Sequence, residues 1–183
     1  AEFPAEAERA NFFATATQLQ SALTMEMMLD VAGGQTGAAE QLVGVNPMNL
    51  LLQAPSNYLG AFTQIEQSQI ERRSWYFDSV KGELVYLVNS DDRVALLVNG
   101  AQILTNEIRF RVVAVYGDDY SKAGSSQAES LSARLEDNRS AAGANSARGA
   151  VVRKLNGLLL QPVTAFQWRS GNDQAMLEAT STG

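Results

Sequence analysis

The chain reads as an α+β protein: one long N-terminal amphipathic helix packed on a mainly antiparallel β-sheet. Three observations predict this. Ala5 to Val31 contains no glycine and is rich in Ala, Leu, Met, Gln and Glu, which favour helix. From Trp75 onward, short aromatic and β-branched runs are separated by turn signals, two of them Asn-Gly pairs. Glu107 to Tyr116 alternates strictly, with Ile108, Phe110, Val112 and Ala114 on one face and Arg109 and Arg111 on the other.

In the helix, Phe12, Ala16, Leu19, Leu23, Met27 and Val31 recur at steps of three and four and draw one apolar stripe. Glu8, Arg9, Asn11, Thr15, Gln18 and Glu26 form the expected polar face. Glu6 and Glu8 sit in the first turn, where carboxylates oppose the helix dipole favourably. Gly33-Gly34 is the stop. The Met25, Met27, Met28 cluster reads as gap-filling core. Met28 and Leu29 widen the stripe, which suits a helix gripped on two sides.

Between Gln35 and Gln69 the long periodicity is lost. Ala38 to Leu42 and Met48 to Gln53 are each expected to make a short helical turn, the second opened by Asn46-Pro47 and ended before Pro55. Tyr58, Leu59 and Phe62 are the apolar anchors of this connector on the sheet.

The strands follow. Trp75 to Phe77, Glu83 to Val88, Arg93 to Val98 and Ala101 to Leu104 are the predicted runs, with turns at Asp78 to Gly82, Asn89 to Asp92 and Asn99-Gly100. Arg109 and Arg111 are expected to face solvent. Gly117 to Gly149 is Ser-, Ala- and Gly-rich, with room for a helix at Gln127 to Asn138. A second hairpin is expected from Ala150 to Trp168, turning at Asn156-Gly157, with Pro162 confining the last strand to an edge or a bulge. Residues 1–4 read as a cloning remnant, 5–168 as a single domain and 169–183 as a polar tail.

Composition excludes much chemistry. The chain has no cysteine and no histidine, so Ser-His-Asp and Cys-His catalysis and thiolate or imidazole zinc sites are ruled out. A net charge of −6 opposes nucleic-acid phosphates, and the basic doublets Arg72-Arg73 and Arg153-Lys154 read as solvated strand ends. The acidic pairs Asp91-Asp92, Asp118-Asp119 and Glu136-Asp137 are adjacent residues, which point apart in a strand and make no acid-base dyad. Asp118 and Asp119 offer hard oxygen ligands and are the calcium candidates. They lack the spacing of a defined calcium loop, so a solvated turn is the preferred reading. No catalytic or cofactor-binding residue is assigned, and no enzyme activity is expected.

The order of segments carries a resemblance. Asn46-Pro47-Met48-Asn49-Leu50-Leu51, Pro55-Ser56-Asn57-Tyr58-Leu59-Gly60, Ser74-Trp75-Tyr76-Phe77-Asp78 and Leu84-Val85-Tyr86-Leu87-Val88 follow a long helix. The chain closes on Leu158-Leu159-Leu160-Gln161-Pro162-Val163 and Phe166-Gln167-Trp168. In this layout it resembles the periplasmic domain of minor type IV pilins and pseudopilins, most nearly the mannose-sensitive haemagglutinin type.

The resemblance implies a pilin-like fold and a structural subunit that helps initiate or assemble a type IV pilus or a type II secretion pseudopilus. Its partners would be other pilin or pseudopilin subunits, the assembly machinery and the bacterial inner membrane, through an apolar N-terminal helix removed from this fragment. That segment would carry the prepilin processing site and a methylated N-terminus. Asp118 and Asp119 gain their calcium reading partly here, since some secretion pseudopilins hold calcium in a C-terminal loop. The alternative reading is an extracytoplasmic adhesin or binding module presenting the Gly117–Gly149 loop. Taken alone, the globular part is expected to be monomeric or weakly associating.

Overall fold

Trp75-Tyr76-Phe77 and Leu84-Val85-Tyr86-Leu87 are apolar at every position, as strands covered on both faces must be. The computed structural model, which describes residues 5–34, 37–117 and 154–169, places them in that way. The element order is α1 (Ala5–Gly33), β1 (Tyr58–Phe62), β2 (Ser74–Asp78), β3 (Glu83–Leu87), β4 (Val94–Val98), β5 (Ala101–Thr105), β6 (Glu107–Gly117), β7 (Lys154–Pro162) and β8 (Phe166–Trp168). Short 3₁₀ turns occupy Ala39–Leu42, Pro47–Leu50 and Gln67–Gln69. The architecture is α+β, with the single long helix packed on antiparallel-rich sheets.

The described strands form two sheets rather than one. The first has the order β1-β2-β3-β6-β7 and the second β5-β4-β8. Pairing is antiparallel for β2 with β3, β3 with β6, β4 with β5 and β4 with β8, while β1 runs parallel to β2. The chain divides into two compact units, Ala1–Ala114 with Leu158–Gly183, and Val115–Gly157. Within the second unit Asn156 fills the space in front of Gly117, where a Cβ would collide with it.

The core lies under the N-terminal half of α1. Phe12 stacks on Trp75 with ring centroids 5.3 Å apart and planes 3° from parallel. Tyr86, Phe110, Phe166 and Trp168 surround the same ring at 5.0 to 5.9 Å. Leu19 and Leu23 continue this buried edge of the helix. On the opposite face of the first sheet, Tyr76, Val85 and Leu87 are covered by Ile65 and Ile70.

The turns are built as their residues require. Asp78 Oδ1 accepts from the backbone N–H groups of Val80 and Lys81, both at 3.1 Å. Gly82 closes that turn at φ +66, and a Cβ there would sit 2.9 Å from the Gly44 carbonyl oxygen. Asn99 and Gly100 join β4 to β5 with φ of 50° and 80°, the pair of positive values a tight two-residue hairpin demands. Asn46 caps the Pro47–Leu50 turn by accepting from Met48 N–H at 3.1 Å and donates to the Tyr58 hydroxyl at 2.7 Å.

Several expectations are corrected. Glu8 and Thr15, assigned to the polar face, are buried. Apolar side chains fall on both sides of α1: Met25, Met28, Leu29 and Val31 are exposed, so Met25 and Met28 are not core. Beyond Leu23 the helix meets the connector, where Ala39 N–H donates to Asp30 Oδ2 at 3.3 Å. Tyr58 to Phe62 is a sheet strand rather than an anchoring loop. Asn156-Gly157 makes no turn, because β7 runs straight through it and Pro162 ends the strand instead. Arg169, read as the start of a polar tail, is buried and donates to the carbonyls of Arg93 and Asp92. The helix expected at Gln127 to Asn138 lies outside the described residues, as do residues 170–183.

Candidate interaction surface

Two places on the described chain combine exposure with side chains that could meet a ligand or a partner. The first is built on the sheet face turned away from the Phe12 core. Cross-strand register lines up Tyr76, Val85 and Arg109 in one row, with Asp78 opposite Glu83 in the next. Glu107 stands two residues before Arg109 and therefore on the same face. Arg109 is half-buried and spans these carboxylates, with Nη1 3.1 Å from Asp78 and 2.9 Å from Glu83, and Nε bonded to Glu107. Gln67 also donates to Glu107. The expectation that Arg109 faces solvent is thus corrected, while Arg111 is exposed.

Electrostatics at this cluster favour fixed charges. Burial opposes the Asp78 charge, but the Lys81 N–H and the Arg109 guanidinium outweigh it and hold the carboxyl below its ordinary 3.8. Burial also opposes the Arg109 charge, yet hydrogen bonds from Arg109 to Glu107 and Glu83 raise its pKa further. Burial pushes the Tyr76 phenol up to about 12, with Glu107 adding to the effect. A recess of about 450 Å³ opens beside the cluster, lined in part by Phe62, Ile65, Gln67 and Lys81. Three carboxylates engaged by one guanidinium make a structural ion cluster. Near neutral pH Asp78 is therefore ionised and Tyr76 protonated.

The second place is the free side of α1. Met25, Met28 and Leu29 lie at i, i+3 and i+4, hence on one face, and are 56%, 61% and 58% exposed. A recess of about 320 Å³ runs along Thr17, Gln20, Ser21 and Thr24 up to Met25 and Met28. A second, of about 230 Å³, lies between Leu29 and Asp30 of α1 and Ala38, Ala39 and Leu42 of the connector. Apolar groups this exposed and this close together form a patch able to bury against another surface.

Asp118 and Asp119, the calcium candidates, lie outside the described residues. Among the described residues there is no group of three carboxylates placed to hold a metal ion. No described helix is long and apolar enough to cross a membrane. Asp91 meets Arg72 at 3.0 Å and Asn106 at 2.9 Å rather than pairing with Asp92. The aromatic cluster around Phe12 is interior, so it forms no exposed aromatic cleft.

Sequence reasoning missed both the Arg109 cluster and the role of Glu8. The spacing Glu107-x-Arg109 was the legible signal for the first, since residues two apart in a strand share a face. For Glu8 no signal exists in the sequence. No protein-family model matches the chain, and neither the curated proteins nor the solved structures yield a match.

Proposed function

We propose that this chain is the globular part of a minor pilin or pseudopilin, a structural subunit that acts by packing against its neighbours in a type IV pilus or type II secretion pseudopilus. The observation that carries the reading is the two-sided use of α1. One side, Phe12 to Leu23, is built into the protein's own core, while Met25, Met28 and Leu29 stand on another side and are more than half exposed. A helix serving only its own fold has no need of that second apolar face. The chain's lack of cysteine and histidine agrees with a role in packing rather than catalysis.

In this reading the partners are other pilin-type subunits and the assembly machinery, and an apolar segment upstream of Ala5 anchors the protein in the inner membrane, facing the periplasm. The test is the whole gene and the assembled protein. A prepilin processing site followed by about 20 apolar residues before Ala5 is expected. Met28→Cys in the full-length protein, treated with a thiol-to-amine cross-linker, should be joined to a neighbouring subunit in assembling cells. An upstream sequence with neither feature overturns the proposal.

A further inference from the structure

The two sheets have four edges, and three of them are protected. Along β7, Gln20 of α1 acts as a strand would: its Nε2 donates to the Leu158 carbonyl at 3.0 Å and its Oε1 accepts from Leu160 N–H at 2.9 Å. The pairing of β1 is irregular between Tyr58 and Ala61, where Gly60 takes φ +112. An irregularity of this kind bends an edge away from further pairing. The third edge, β8, is only three residues long. That leaves β5.

Among the described residues β5 has no such protection. Its residues are exposed from Ala101 to Leu104, with Ile103 and Leu104 each 51% exposed. Its pairing with β4 is regular across all five positions. It contains no proline or glycine, and no charged residue occurs anywhere from Val94 to Asn106. Lysine, proline and bulges are the usual means of blocking an edge, and none is present.

The register shows which backbone groups are free. Leu97 N–H donates to the Ala165 carbonyl at 2.8 Å, so the odd positions of β4 turn toward β8 and the even ones toward β5. Val94, Leu96 and Val98 oppose Thr105, Ile103 and Ala101. The N–H and C=O groups of Gln102 and Leu104 therefore point outward, symmetrically about Ile103.

We propose that β5 is a self-pairing edge: two copies of this chain join antiparallel about a two-fold axis at Ile103. Gln102 of one copy then faces Leu104 of the other, twice over, exchanging four backbone hydrogen bonds. The two Ile103 residues meet as a non-hydrogen-bonded pair, about 4.5 Å apart at Cα. The result is a continuous six-stranded sheet with the order β8-β4-β5-β5-β4-β8. A second copy fits because the contact is self-complementary and isologous. It also fits because a chain of net charge −6 can approach its own kind only over a neutral stretch, which Val94 to Asn106 provides. One five-residue strand pair falls below the roughly 1,200 Å² at which stable specific interfaces begin, so the dimer is weak alone, with Kd on the order of 10⁻⁴ to 10⁻³ M, and is favoured where copies are held close together. The inference does not depend on the function proposed above.

Sedimentation of the protein from about 10 μM to about 1 mM, bracketing that Kd range, tests it. The parent should show a concentration-dependent dimer. Leu104→Pro removes an outward N–H without touching the β4 ladder, and should sediment as a monomer with an unchanged melting curve. Ile103→Lys and Ile103→Glu should each be monomeric, because like charges meet on the axis, whereas their mixture should regain the dimer. The mixing result stands even if Leu104→Pro fails to fold. A parent that stays monomeric at the highest concentration, a dimer indifferent to Leu104→Pro, or charged variants that do not rescue one another would overturn the proposal.

Discussion

Glu8 Oε1 accepts a hydrogen bond from the Tyr86 hydroxyl at 3.1 Å and another from the Asn89 backbone N–H at 2.9 Å. One buried carboxylate thus ties the first turns of α1 to the end of β3, and sets where along the sheet the helix lies. Phe12, one turn later, is delivered onto Trp75 by the same constraint. Glu8→Ala should leave a buried hydroxyl and a buried N–H without their acceptor, destabilising the protein by about 2–3 kcal/mol. Glu8→Gln keeps an acceptor oxygen and should lose less. Urea unfolding of the two variants checks the order, and equal losses would contradict it.

The two sides of α1 should respond in opposite ways to charge. Leu19 is wholly buried, so Leu19→Asp places an unpaired carboxylate in the core and should destabilise by about 3–5 kcal/mol, enough to unfold many domains. Leu23→Asp should behave alike, since Leu23 is equally buried. Met28→Asp, on the exposed side, should change stability by no more than about 0.5 kcal/mol. Thermal melts of the three variants decide whether the helix lies as described.

Arg109→Gln should leave Asp78, Glu83 and Glu107 facing one another with no cation among them. These groups keep some solvent access, so the loss expected at pH 7 is about 1–3 kcal/mol. Because Asp78 titrates below its ordinary 3.8 in the fold, its contribution is complete above that value and fades as pH falls further. The deficit of the variant should therefore narrow below about pH 4. Parallel stability curves for parent and variant down to pH 2.5 would argue against the ion cluster.

The alkaline limb should report the buried tyrosines. Burial raises the phenol of Tyr76 to about 12 from 10.0, and burial with the nearby Glu8 charge raises that of Tyr86 too. The folded state keeps protons that the unfolded chain releases from about pH 10, so stability is full below 10 and is lost as pH rises toward 12. Tyr76→Phe removes one of these groups and should soften the decline between pH 10 and 12. Denaturation midpoints measured across that interval provide the check.

Much of the fold was legible in the residues themselves, wherever a local rule governed. Helix propensity and spacing located α1, and Gly33-Gly34 marked its end within a residue or so. Positive φ at Asn99 and Gly100 is a local demand, and the hairpin between β4 and β5 follows from it. Strict alternation placed β6 and named Ile108, Phe110 and Val112 as its buried face. At Asn156-Gly157 the same local rule misled, because a glycine in an edge strand tolerates extended backbone as readily as a turn.

Only the tertiary structure decided the rest, for a common reason: each remaining feature depends on which distant segment lies alongside. Glu8 belongs to the interior because Tyr86 and Asn89 meet it there, and nothing within one helical turn of Glu8 foretells that. Arg109 is a cluster centre rather than a surface cation because β3 and the β2–β3 turn bring Asp78 and Glu83 beside it. Met25 and Met28 are exposed because the packed side of α1 is the one that carries Phe12, Leu19 and Leu23. Periodicity shows that a side of the helix is apolar; which side is covered is settled by packing.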